Sequence, residues 1–64
     1  MNRKKLERHL VAFGCRFHHR GGEHDIWWNA GESASVPVPR HKEIATYTMK
    51  SICKKLGIPP PPEK

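Results

Sequence analysis

Leu6, Leu10 and Phe13 recur at i, i+4 and i+7, with Val11 beside them. That spacing winds onto one face of an α-helix. Arg3, Lys4, Lys5 and Arg8 fill the other face, Asn2 is placed to cap the start and Gly14 to end it. A helix of about three turns is unstable alone in water, so its apolar stripe must pack on something. From Cys15 the period changes to two. Cys15, Phe17 and His19 alternate with Arg16, His18 and Arg20, which predicts a strand with one inward and one basic side. Gly21-Gly22 is a turn signal, and Glu23 to Asn29 is a second strand rich in β-favouring residues, so the two runs read as an antiparallel hairpin. Ala34 to Pro39 is a third strand, with Val36 and Val38 pointing the same way. Pro37 and Pro39 lack backbone donors, so this strand is expected to lie at a sheet edge or to face solvent with those positions. Arg40 to Glu43 is a loop. Met49, Ile52, Cys53 and Leu56 restore helical spacing, with a cap at Thr46 or a neighbour and a stop at Gly57. Pro59 to Pro62 cannot continue that helix.

The order is α-β-β-β-α, an α+β fold. Each helix has one apolar stripe, so both are expected on one face of a three-stranded antiparallel sheet, with the other face open. This is the layout of double-stranded-RNA-binding domains in miniature. Residues 1–58 form one domain, and residues 59–64 are expected to be a Pro-rich disordered tail.

Charge narrows the function. Twelve Lys and Arg against six Asp and Glu give a net charge of +6 in 64 residues. A small, strongly basic domain reads first as a polyanion binder. Two cysteines, Cys15 and Cys53, in no paired motif suit buried thiols in a reducing cytoplasm rather than a disulfide scaffold. No apolar run approaches the length of a membrane span.

The candidate chemistry starts where Gly21-Gly22-Glu23 runs into His24 and then into Ile26-Trp27-Trp28. His24 is read as a chemical group at the rigid end of a strand, with nearby basic residues holding a nucleic-acid phosphate. Arg40 and Lys42 are the expected phosphate contacts. His41 is placed to bind phosphate or act as an acid, and Lys5, Arg16, His18 and Arg20 extend the track. The tryptophans have opposite parity. Trp28 pairs with Ile26 as the expected core side, and Trp27 is assigned to the open face, where it would stack a base or anchor a partner. The same parity would bury His24, so a bulge is expected at Gly22 or Glu23. Two alternatives remain: a non-catalytic double-stranded-RNA-binding module, and a zinc site built from the histidines with Cys15 or Cys53. The spacing fits no zinc pattern, so no metal or other cofactor is expected.

Four stretches together resemble the HicA (YcfA-like) toxins of bacterial type II toxin–antitoxin systems. They are the Lys-rich first helix ending at Gly14, Gly22-Glu23-His24-Asp25-Ile26-Trp27, Val38-Pro39-Arg40-His41, and the closing Thr48-Met49-Lys50-Ser51-Ile52-Cys53-Lys54-Lys55-Leu56-Gly57. The likeness covers about Arg3 to Ile58. It implies a small ribonuclease that cleaves mRNA in the cytoplasm and is silenced by a HicB-type antitoxin, with the motif histidine, here His24, as the catalytic residue. Glu23, Asp25 and His19 stand where the family more often has Ser, His and Arg. RNA carries its own nucleophile, the 2′-OH, so cleavage needs a base for that proton, donors for the phosphorane and an acid for the leaving oxygen. Histidine suits the first task because its ordinary pKa is about 6.5.

Overall fold

A computed structural model describes residues 1–62. The chain forms α1 (Arg3–Ala12), β1 (Cys15–Arg20), β2 (His24–Asn29), β3 (Ala34–Pro39) and α2 (Thr46–Leu56), the order the periodicities predict. The Asn2 side chain caps α1 by accepting from the Lys4 and Lys5 amides at 2.8 and 3.4 Å. Gly14, at φ 88°, turns the chain out of it. Of the expected stripe, Leu6 and Leu10 are buried, whereas Val11 and Phe13 remain largely exposed. Phe13 is the C-terminal cap residue and its ring packs on His9, with centroids 4.7 Å apart. The cap of α2 is Ala45, with no side-chain bond, so Thr46 is the first helical residue rather than the cap. Met49, Ile52, Cys53 and Leu56 are buried as their spacing requires, and Gly57 closes the helix at φ 75°.

The sheet is antiparallel in the order β1-β2-β3. The proline-bearing strand is therefore an edge. Between β1 and β2 the Gly21 amide donates to the His24 carbonyl at 2.9 Å. The turn is thus centred on Gly22-Glu23, and β2 begins at His24 rather than Glu23. A Cβ on Gly21 would lie 2.6 Å from the His24 carbonyl oxygen, so this close approach needs a glycine.

Register corrects the assignment of faces. Trp27 sits opposite Phe17 on one side and Val36 on the other, and β2 pairs with β3 without interruption from His24 to Asn29. Val36 and Val38 are core residues, so Trp27 is core too, 6% exposed, while Trp28 is 37% exposed on the open face. The expected roles of the two tryptophans are exchanged. No bulge at Gly22 or Glu23 is required. The irregularity lies in β1, where Phe17 pairs with Trp27 but His19 pairs with Ile26, leaving His18 as the extra residue. A bulge of this kind breaks strict alternation. His18 and His19 consequently both lie on the open face, and the period-two reading of β1 holds only as far as Phe17.

Leu6 and Leu10 of α1 and the stripe of α2 meet Cys15, Trp27, Val36 and Val38 in one cluster. Both helices therefore cover one face of the sheet. Asn29 fastens the end of β2 to α2 by donating to the Leu56 carbonyl at 2.8 Å and accepting from the Gly31 amide at 3.1 Å. The segment from Pro59 to Pro62, expected as a disordered tail, is non-helical. The Pro59 carbonyl accepts from His9 Nε2 at 2.7 Å and Pro61 is buried. The rest of that expected tail, residues 63 and 64, lies outside the described residues.

Candidate functional site

His24 is the first residue of β2 and pairs with Pro39. It shares the open face with Ile26 and Trp28 and is half-buried there. Its backbone is fixed by the turn bond from Gly21 and by pairing with β3. Among the described residues its imidazole has no hydrogen-bond or ion-pair partner. A rigid backbone carrying an uncommitted ring leaves both nitrogens available to a ligand.

The turn beside it is clamped from the other side of the sheet. Arg40 donates from Nε to Asp25 Oδ1 at 2.9 Å and from one terminal nitrogen to the Gly21 and Gly22 carbonyls at 2.7 and 3.3 Å. Asp25 has the opposite parity to His24, so this guanidinium lies behind the histidine rather than beside it. Arg40, read in sequence as a phosphate contact, spends much of its donor set holding the turn. Its own carbonyl accepts from Arg3, and the Arg3 amide donates to the Lys42 carbonyl at 2.9 Å. These bonds tie the basic loop to the start of α1. Arg40 and Lys42 line a cleft of about 400 Å³ there with Asn2, Arg3 and Lys4.

The expected site residues are therefore dispersed. Arg16 lies opposite Trp28 and shares the open face with His24. Arg20 lies opposite Asp25 on the other face, exposed at the end of β1. Lys5 is exposed on α1, His41 is exposed in the loop, Arg40 and Lys42 border the basic cleft, and Trp27 is in the core.

The open face also holds a cluster that alternation conceals. His18 Nδ1 and His19 Nδ1 are 2.6 Å apart, a distance that requires one nitrogen to donate and the other to accept. The His18 ring stands edge-on to Trp28, centroids 5.3 Å apart. His18, His19, Ile26 and Trp28 line a shallow cleft with Ser33 and Ser35. The conflict between the tryptophan parity and His24 disappears once Trp27 is set against Val36, whereas the bulge that brings His19 to this face has no signal in the sequence of β1.

The two thiols take no part in this face. Burial pushes the pKa of Cys15 up, with Arg16 opposing weakly, and burial followed by the neighbouring Cys15 raises that of Cys53. Both remain neutral thiols. Among the described residues no helix is long and apolar enough to cross a membrane.

These features define a class: a minimal, basic α-β-β-β-α protein with one uncommitted histidine on the uncovered face of its sheet. The family model described as HicA toxin of bacterial toxin-antitoxin systems matches residues 3–58. The chain belongs to the HicA toxin family, and so to the toxins of toxin–antitoxin systems. No curated protein and no solved structure matches the chain.

Proposed function

We propose that this toxin is an endoribonuclease that cleaves mRNA without needing a metal, with His24 as the general base on the RNA 2′-OH. The observation that carries the reading is His24 itself: fixed at the start of β2, half-buried on the open face, with a ring that has no partner among the described residues. A neutral imidazole there takes the 2′ proton, O2′ attacks phosphorus, and the bond to the 5′ oxygen breaks. The internal nucleophile makes a metal-bound hydroxide unnecessary. Arg16 lies on the same face, and the net charge of +6 draws the polyanion in. Arg40 acts on this site mainly through the Gly21–Gly22 turn, while Lys42, Lys4 and Arg3 offer a separate phosphate track at the start of α1. A HicB-type antitoxin silences the enzyme by covering the open face.

The test is cleavage of a long mRNA in EDTA by the wild type and by His24→Ala, with RNA binding measured for both. The expected loss of rate is about 10²–10⁴-fold, with binding nearly unchanged. Binding without cleavage by the wild type would make the protein a binding module, and equal rates for the two proteins would remove His24 from the chemistry.

A further inference from the structure

We infer that His19 is a second catalytic residue, the general acid that protonates the leaving 5′ oxygen, and that His18 positions it. The inference rests on the ribonuclease reading above and adds the half of the reaction that His24 cannot perform.

The bulge at His18 is the origin of the arrangement. Without it, His19 would face the helices. With it, His19 lies opposite Ile26 on the open face, and Ile26 is two residues from His24 along the same face. His19 and His24 are thus diagonal cross-strand neighbours. Diagonal neighbours lie about 7–8 Å apart and remain within reach of ring side chains. In-line displacement puts the attacking and leaving oxygens on opposite sides of phosphorus. A base and an acid must therefore flank the phosphate rather than crowd one side of it. Two imidazoles on adjacent strands, diagonal to one another beside Ile26, satisfy that demand.

The contact between His18 and His19 sets the proton. At 2.6 Å between the Nδ1 atoms, an imidazolium at His19 donates Nδ1–H to neutral His18, whose own proton is then on Nε2. The His19 Nε2–H is left for substrate. His18 is in turn fixed against Trp28. The charged and titratable side chains facing this pair on the sheet are Arg16 of β1 and His24 of β2, with Glu23 in the adjoining turn. From β3 the face receives Ser35, Pro37 and Pro39, none of which titrates. No helix covers it.

The step balances. His24 accepts the 2′ proton as the O2′–P bond forms. The P–O5′ bond breaks, its electron pair goes to O5′, and His19 Nε2 delivers a proton to that oxygen. The products are a 2′,3′-cyclic phosphate and a 5′-hydroxyl, with His24 charged and His19 neutral until solvent exchanges their protons.

A leaving-group experiment isolates the acid. An oligoribonucleotide carrying sulfur in place of the 5′ bridging oxygen at one bond is compared with ordinary RNA, because a thiolate departs without being protonated. His19→Ala is expected to cut ordinary RNA about 10²-fold more slowly and to recover to near the wild-type rate on the sulfur-bridged substrate. His19→Arg should behave alike, because a guanidinium keeps its charge but does not release its proton. His18→Ala should show a smaller loss with the same rescue. His24→Ala should stay slow on both substrates. His19→Ala equally slow on both, or His19→Arg as fast as wild type on ordinary RNA, overturns the assignment while leaving the ribonuclease reading standing. A wild type that cleaves neither substrate, or a fully active His24→Ala, removes the ribonuclease reading and the inference with it. His19 is exposed, so its variants keep the fold, which matched melting curves verify.

Discussion

The two faces of the sheet are built from the same three strands and do opposite work. The covered face places Cys15, Trp27, Val36 and Val38 under the two helices. Its centre is apolar and forms the core, with Asn29 and the Asp25–Arg40 pair towards its ends. The open face carries Arg16, His18, His19, His24 and Trp28, with the prolines of β3 beyond them. It adds little to the core, and the proposed chemistry lies there. A chain of 64 residues can support only one core, so the uncovered face of the sheet is a rigid surface left free to carry a site. Adjacent residues therefore answer to different constraints, and Trp27 and Trp28 are the sharpest case.

The largest expected effect follows from that pair. Trp27→Ala removes a side chain that is 6% exposed and central to the core, and truncations of this type cost about 3–5 kcal/mol. A domain of this length has about 3–10 kcal/mol in total at typical stability per residue. The variant should be largely unfolded or melt far below the wild type in a circular-dichroism scan. Trp28→Ala should break the comparison the other way. Its ring, 37% exposed, contributes little to folding, and the melting temperature should stay close to that of the wild type. RNA affinity should fall instead, by about 1–3 kcal/mol if the ring stacks a base, read by filter binding or fluorescence titration. If Trp28→Ala unfolds the protein while Trp27→Ala spares it, the faces are exchanged and the register of β2 is wrong.

That register also marks where sequence reasoning stops. The five elements were legible from helical spacing in α1 and α2, alternation in β3 and the start of β1, and β-favouring residues in β2, and the caps at Asn2 and Gly57 stand where backbone geometry demands them. The site was legible in part. His24 follows the Gly21-Gly22-Glu23 turn and opens a strand, a local pattern that survives folding unchanged. The rest depended on pairing. An unpaired residue in β1 has no signature in a run such as Cys-Arg-Phe-His-His-Arg, yet it decides which way His19 points. Arg40 shows the same limit from another side. In sequence it is one more cation near a histidine, and only the crossing of the loop behind β2 commits it to Asp25 and the turn carbonyls. Trp27 was misassigned because β2 was read alone. Set against Val36 across the ladder, its side follows from the parity of β3.

A smaller effect sharpens the contrast through the thiols. Cys15 and Cys53 are fully enclosed on the covered face, and burial raises both thiol pKa values above their ordinary range. In the unfolded chain a thiol titrates near pH 8.5. Below about pH 8 both states keep their thiol protons, and whatever stability the buried neutral thiols contribute is fully present. As the pH rises further the unfolded chain releases protons that the folded chain still holds, so stability falls with increasing pH until the raised folded values are passed. The melting temperature should therefore decline between about pH 8 and 9.5, a window below the lysine range of about 10.4. A double Cys15→Ala, Cys53→Ala variant, though less stable throughout, should give a flatter profile across that window. A chromogenic disulfide reagent should leave both thiols untouched in the native protein and titrate both in denaturant. Rapid native reaction at either thiol would mean that the covered face opens on its own, and that stability and chemistry are not divided between the two sides of this sheet.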